Sequence, residues 1–561
     1  MKPADKAKIK AQKKKQKPVI LKKTFFDKTE QWLFENQKAI FVGISIAFVL
    51  LSIALFSMRI SEGGDDSTYV QAGYNYSKHF FKYYFSFNAP FYPMFLSLII
   101  SVFGVNLFVL KIISLFFSYF HLFFLYKALK NRIPQLVLFP VLMITATNAF
   151  FLFFASQTYN EAFFLFFQSF FLYYFIQFEE KIANTGDSLK KTYKSWLIIG
   201  LLIFILSMTK NVAIIIIPSL ALYLLLNKKY FHIIYLVGAF LLIKLPYELF
   251  KTLVWGNFNQ YSSQFSNIMQ VHPYDKSKGI ETMGGFFGRF VDNCQGYFSD
   301  IFMQILGFKK EFTNIESPLL AITIILLLLI GILLIFKSKN KALQLTMFYS
   351  ASIIGASFFV LQKIWSQHRI ILIEVPFILI ILFFVFYKLF NKKSASSFQF
   401  IYYIFIAIIF IAGIALTTKK INKNIPIIYN NIKGNKSYGY SPDWQNYLLM
   451  SDWCANNLSS TDKVACRKPS VSFLYSGSEM FYGVFETKTT DADSALTYFK
   501  DNQITHILVS SLRLNPSMPT TNVYNSIQRM LYPITLKFPN KVQFLKQFGD
   551  EEASYLYKIN Y

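Results

Sequence analysis

Two phosphate-binding signatures are missing from this sequence. There is no Gly-x-x-x-x-Gly-Lys-[Ser/Thr] loop and no Gly-x-Gly-x-x-Gly after a strand, so chemistry here draws on an activated substrate and not on ATP. Histidine is scarce, with six residues and no pair on one helix face. That excludes haem ligation and a His-Glu-x-x-His zinc site. The three cysteines form no Cys-x-x-Cys pair. Cys454 and Cys466 fall in one C-terminal region, where a disulfide and two free thiols both fit. Acid is also short: 30 Asp and Glu stand against 57 Lys and Arg, a net charge of +27. No nucleic-acid module accompanies that charge. The lysines gather in an N-terminal tail and at the ends of apolar runs, the pattern of positive-inside topology and attraction to anionic lipid.

What the chain has in excess is apolar surface. It is 54% hydrophobic, with 65 Phe and 35 Tyr among 561 residues, above the 45–50% or so of soluble domains. Long apolar runs alternate with short basic clusters up to Thr417, after which polar residues return. These features predict an α-helical polytopic membrane protein of about eleven transmembrane helices, followed by an α/β domain outside the cytoplasm. The boundaries are a basic cytoplasmic tail over 1–37, a transmembrane domain over 38–416 and an extracytoplasmic domain over 417–561. Within the transmembrane part, 61–104 and 251–317 read as outside loops.

Charge assigns the sides. The run Ala39–Met58 is an uncleaved first span with the N-terminus inside. Ala89–Gly104 covers roughly 24 Å as a helix, short of the hydrocarbon core. If it crossed, Lys127, Lys130 and Arg132 would face outside, so it reads as an interfacial or re-entrant helix. Trp196–Met208 and Val212–Leu226 read as two short spans hinged at Lys210-Asn211. In the last 145 or so residues, strands are expected at Lys463–Ala465, Ile504–Ser510, Val542–Phe548 and Ser554–Lys558, with helices at Asp443–Leu458 and Asp491–Lys500.

Few residues carry chemistry. Asp65-Asp66 follow the first span. An adjacent carboxylate pair can bind a divalent cation, or one member can serve as a general base; a solvated turn in which Asp66 or Ser67 caps the next helix fits as well. Glu161 opens a helix of Phe and Leu, as a second carboxylate on the same side or as a favourable helix-start charge. Lys210 and Arg369 stand at outer helix ends, where topology does not require them. They suit a phosphate headgroup, and snorkelling suits them too. His272 and His368 are candidates for a hydrogen-bond network or a metal.

The order of these motifs resembles the GT-C superfamily of lipid-dependent glycosyltransferases, in the family 39 branch of protein O-mannosyltransferases and the lipid A aminoarabinose transferase. Asp65-Asp66-Ser67-Thr68-Tyr69 resembles the family's Asp-Glu-x-x-Tyr. Ala89-Pro90-Phe91-Tyr92-Pro93 with Phe103-Gly104 resembles its Pro-x-x-Tyr…Phe-Gly helix. Ser156 and Glu161 resemble the second acidic loop, Met208-Thr209-Lys210-Asn211 resembles Leu-Thr-[Lys/Arg]-x, and Arg369 with Pro376 resembles the opening of a late span. Asp66 departs from the usual Glu, and Asn211 stands where small residues or Pro are commoner.

The resemblance implies transfer of a sugar from a polyprenyl phosphate, such as undecaprenyl phosphate in a bacterial cell membrane, to an acceptor hydroxyl on the extracytoplasmic face with inversion. The acceptor is a lipid, a glycan or a protein. In this reading Asp65, Asp66 and Glu161 are the catalytic carboxylates, with Asp65 the base that takes the acceptor's proton and Asp66 a supporting or metal-side carboxylate. Tyr69, Tyr92, Lys210, His272 and Arg369 bind substrate. The 251–317 loop, with Trp255, Tyr261, His272, Tyr274 and Tyr297 offering faces for a sugar, is the acceptor-facing lid. A divalent metal at Asp65, Asp66 and Glu161 is an open option, since part of the family needs none. The alternative class is a transporter or flippase of a lipid-linked or anionic substrate. Against it stand the absence of an inverted repeat and the concentration of charge on one side. A non-catalytic scaffold whose terminal domain binds a partner is the third.

Overall fold

In the computed structural model, described for residues 24–62, 64–86, 88–185, 189–256, 267–273, 278–311, 315–365, 367–391, 396–513 and 523–561, apolar runs become helices. Among these residues eight helices are long and apolar enough to cross a membrane. They include Gln37–Ala54, Leu107–Leu129, Asn160–Thr185, Leu189–Thr209 and Tyr230–Trp255. Gln135–Thr147 and Ala149–Ala155 form a further pair bent by 59°. The bend falls at Asn148, whose side chain caps the second helix by accepting from Phe150 N at 2.9 Å. Phe91–Phe103, Asn211–Leu226 and Val375–Phe390 are shorter. Leu319, Leu326 and Leu333 on Pro318–Ser338 stay more than half exposed, as expected of a face meant for lipid tails.

Several sequence expectations change. The stretch 25–35, assigned to the tail, is the helix Phe25–Glu35, closed by a Thr24/Asp27 capping box. Its Phe26 is buried against Tyr387 and Tyr402. The 251–317 loop contains the helices Met283–Gly296 and Phe302–Leu306 with a π-turn between them. The late span opens as His368–Leu372, breaks, and resumes as Val375–Phe390. The last apolar run does not end at Leu416: the helix continues to Ile432 through Pro426. The expected break at Lys210 is present, with Lys210 in extended backbone between Thr209 and a 3₁₀ turn.

The C-terminal part is built on five strands, β1 Val464–Cys466, β2 Phe481–Gly483, β3 His506–Ser510, β4 Val542–Phe548 and β5 Ser554–Ile559, in the order β2-β1-β3-β5-β4. β1 runs parallel to β2 and β3, while β3–β5 and β4–β5 are antiparallel. Cys454 and Cys466 are buried free thiols. The helix Pro469–Ser476, which follows β1, lies against the helix Asp65–His79 and ties the sheet to the acidic loop. Ser470 Oγ donates to Gln71 Oε1 at 2.7 Å, and Tyr74 OH donates to Glu479 Oε1 at 2.7 Å. The Tyr74 and Phe473 rings pack with centroids 5.0 Å apart.

Candidate active site

The acidic loop turns sharply at Gly64, whose φ of +80° lies in the left-handed region that glycine enters without steric cost. Asp65 is then the first residue of the helix Asp65–His79. Neither Asp66 nor Ser67 caps it. Ser67 Oγ and Thr68 Oγ1 instead donate to the Gly64 carbonyl.

The two aspartates part company at once. Asp66 is fully buried. Its carboxylate accepts from Ser61 N, Ser61 Oγ and Ser67 N, each at 2.9 Å. Burial raises the Asp66 pKa, while these donors and Lys111 oppose the rise. Asp66 therefore locks the loop. Asp65 keeps 34% of its side chain exposed, and its Oδ2 lies 2.6 Å from Arg369 Nη2. Arg369 is held in turn through Nε to Gln367 Oε1 at 2.6 Å, with its guanidinium 5.7 Å from the Tyr159 ring centroid. Tyr159 OH and Ser61 Oγ are 2.5 Å apart, which joins the Arg369 platform to the Asp66 lock.

A second ion pair completes the cluster. Lys210 Nζ lies 2.7 Å from Glu161 Oε1, with the Glu161 side chain fully buried. The break in the helix at Lys210 turns this lysine toward Glu161 at the start of Asn160–Thr185. Asn160 Nδ2 fixes the same junction by donating to Thr209 O at 2.9 Å. Below Asp65, Tyr69 and Tyr92 form an edge-to-face pair 5.5 Å apart, and Asn88 Nδ2 donates to Tyr69 OH at 3.1 Å. Close packing holds this floor: a Cβ on Gly73 would sit 2.9 Å from Leu96 Cβ.

The structure thus brings Asp65, Asp66, Glu161, Tyr69, Tyr92, Lys210 and Arg369 into one region. His272 lies half-buried in the segment 267–273, which is bridged to Ile280 through Gln270. His368 stacks on Phe150 with centroids 4.5 Å apart and bonds Gln304 at 2.8 Å. The expected lid aromatics are spoken for as well. Trp255 donates to Phe80 O at 2.8 Å, and Tyr297 is buried against Phe358. Tyr261 and Tyr274 lie outside the described residues.

The metal set Asp65, Asp66 and Glu161 does not form. Among the described residues no three His, Cys, Asp or Glu side chains gather as ligands. Asp66 spends its oxygens on the loop, and Asp65 and Glu161 each meet a cation. As arranged, the carboxylates fit ion pairs and not a shared divalent ion.

Two lysines escaped the sequence reading. Lys111 sits inside an apolar helix and is fully buried. It donates to the Ser57 carbonyl at 2.8 Å, to the Arg59 carbonyl and to Gln157 Oε1 at 3.1 Å, so it pins the loop from the membrane side. A charge within an apolar run was the available signal. Lys468 comes from the C-terminal domain, and a Cβ on Gly64 would lie 3.4 Å from its Nζ. Nothing local in the sequence announces that contact.

The fold is that of the GT-C glycosyltransferases. Among solved structures the chain is similar to the archaeal oligosaccharyltransferase AglB from Archaeoglobus fulgidus, in complex with an inhibitory peptide and a dolichol-phosphate. The TM-score is 0.52 at 11% identity, over 93% of this chain and 74% of that one. The oligosaccharyltransferase from the same organism, tethered to an acceptor peptide with the NVT sequon, gives 0.54 at 12% over 95% and 75%. ArnT from Cupriavidus metallidurans, bound to undecaprenyl phosphate, gives 0.52 at 10% over 93% and 98%. At these identities the likeness is one of fold. No family model and no curated protein sequence matches the chain.

Proposed function

We propose that the protein is a membrane glycosyltransferase that moves a sugar from a polyprenyl-phosphate donor to an acceptor hydroxyl on the extracytoplasmic face. One observation carries the reading. Of the three clustered carboxylates only Asp65 is exposed, at 34%, while Asp66 and Glu161 are fully buried. Only Asp65 can meet an incoming hydroxyl. The solved structures of this fold that hold dolichol-phosphate and undecaprenyl phosphate support a lipid phosphate as the donor's carrier.

In the proposed reaction Asp65 accepts the proton of the acceptor hydroxyl as its oxygen attacks the anomeric carbon. The new glycosidic bond forms as the bond from that carbon to the phosphate oxygen breaks, with inversion. Polyprenyl phosphate leaves with the bonding electrons, and Arg369 and Lys210 stabilise the negative charge on its oxygens. Arg369 pairs with Asp65, so phosphate binding exchanges one anionic partner of the guanidinium for another. Tyr69 and Tyr92 line the floor. Mass spectrometry of surface glycans and glycolipids from a deletion strain tests the proposal. One saccharide should disappear and return with the intact gene; an unchanged profile would count against it.

A further inference from the structure

Among the described residues the C-terminal domain brings a lysine, Lys468, beside the acidic loop. Lys468 lies two residues beyond β1, after Arg467. β1 leads through Pro469–Ser476 to β2 on one side, while the parallel strand β3 lies on its other side. The carboxyl ends of β1 and β3 therefore flank the point where connections diverge, the usual place for a functional group in such sheets. Here that edge is applied to the acidic loop. Besides the approach of Lys468 Nζ to Gly64, Val471 would contact a Cβ there at 3.5 Å. The Ser470–Gln71 and Tyr74–Glu479 bonds hold the two helices in register. Lys468 also lies over the Tyr524 ring at 4.9 Å and Arg467 over the same ring at 4.4 Å.

The charged and titratable groups acting at this point come from five separate segments. Arg369, Lys210, Tyr69, Tyr159 and Lys468 all feel Asp65. Burial, then Arg467, pulls the Lys468 ammonium down to about 8, and Asp65 and Asp66 oppose that pull. Lys468 Nζ thus stands, across the domain boundary, beside the loop that carries both carboxylates.

We propose that Lys468 is a positioning residue for the carboxylate pair, supplying the positive charge that steadies Asp65 when Arg369 leaves it for the donor's phosphate. This rests on the reading of Asp65 and Arg369 given above. Arg369 cannot serve Asp65 and a phosphate equally, and a carboxylate that loses its 2.6 Å partner is costly unless another cation stands near. Lys468 is carried by a different segment from Arg369, one tied to the Asp65 helix through Ser470–Gln71 and Tyr74–Glu479, so it need not follow the guanidinium. The soluble domain thereby acts on the lipid-phosphate step without touching the lipid.

The test is a double-mutant cycle on the full-length purified protein, with undecaprenyl phosphate as the binding probe and thermal unfolding as a check on each variant. K468Q should weaken binding about tenfold, a coupling of ordinary size, and K468R should stay within about twofold of the natural chain. In a D65N background there is no carboxylate to steady, so K468Q should change binding by less than about twofold. Equal weakening in both backgrounds would overturn the proposal and make Lys468 a direct ligand of the phosphate. No weakening in either would overturn it outright. Failure of the natural chain to bind the probe would remove this proposal and the donor reading together. Sugar transfer is scored separately: if D65N still transfers, the base assignment falls while a positive cycle stands; if D65N is inactive and the cycle is additive, the base assignment stands and the role of Lys468 falls.

Discussion

Arg369 Nη2 lies 2.6 Å from Asp65 Oδ2, joining a loop after the first long helix to the opening of a late one. Gln367 anchors the other side of the guanidinium, so its plane is set before any ligand arrives. A lysine offers a point charge and cannot hold both partners in that fork. R369K should therefore lower transfer by roughly 10²-fold, the scale for losing one donor to a developing negative charge, while the protein remains folded. Initial rates with membranes from the two strains check this. Full activity in R369K would mean that the fork geometry is dispensable.

The Lys210–Glu161 pair makes a different prediction, because Glu161 is fully buried. Removing Lys210 alone strands a carboxylate away from water. K210M should cost about 3–5 kcal/mol in stability. The double variant K210M/E161Q should regain most of that loss in thermal unfolding, yet still transfer poorly because a cation is missing from the site. If the double variant regained activity with stability, Lys210 would be structural only.

Glu62 gives the pH dependence. Burial pushes its pKa up to about 7, with Arg59 pulling down, Asp443 pushing up and Arg513 pulling down. A carboxyl whose folded pKa is raised favours the native state while protonated, so its contribution is present below its unfolded pKa near 4.5 and is lost as pH rises toward 7. The difference is about 3 kcal/mol at most. E62Q should match the natural protein at pH 4 and unfold at a higher temperature than it at pH 8. Parallel melting curves at both values would contradict a half-buried, desolvated Glu62.

Much of this architecture could be read from the sequence, for identifiable reasons. Apolar runs such as Pro318–Ser338 announce themselves, and the helix break at Lys210 showed as a polar pair between two short runs. The segment 283–296 did not, because Gly284, Gly285 and Gly288 lower local helix propensity; packing of Phe286 against Phe359 prevails over it. The extension of the last long helix to Ile432 was hidden by polar residues that a helix outside the hydrocarbon tolerates. At the site, residue types identified Asp65, Glu161, Lys210 and Arg369 as candidates. The resemblance already favoured Asp65 over Asp66 as the base; the structure adds the local bonds of Asp66 to Ser61 and Ser67, and long-range contact alone brings in Lys468. His272 was named for its chemistry, and the fold sets it in the segment bridged to Ile280.

The floor of the site depends on one close approach. A Cβ on Gly73 would meet Leu96 Cβ at 2.9 Å and the Pro93 carbonyl at 3.2 Å, whereas one on Gly43 would meet nothing within 4 Å. G73V should destabilise by about 1–3 kcal/mol and lower transfer by displacing Tyr69 and Tyr92, without touching any charged group. G43A should leave both unchanged. Unfolding curves and transfer rates on the two variants make the comparison, and an unaffected G73V would show that the two helices can separate freely.

The central claim is that Asp65 takes the proton in sugar transfer. Its most direct test is the deletion strain supplied with D65N and scored by mass spectrometry of surface glycans and glycolipids, with protein level checked in the same membranes. The account predicts normal expression and no restored saccharide; restoration by D65N to the level given by the natural gene would contradict it.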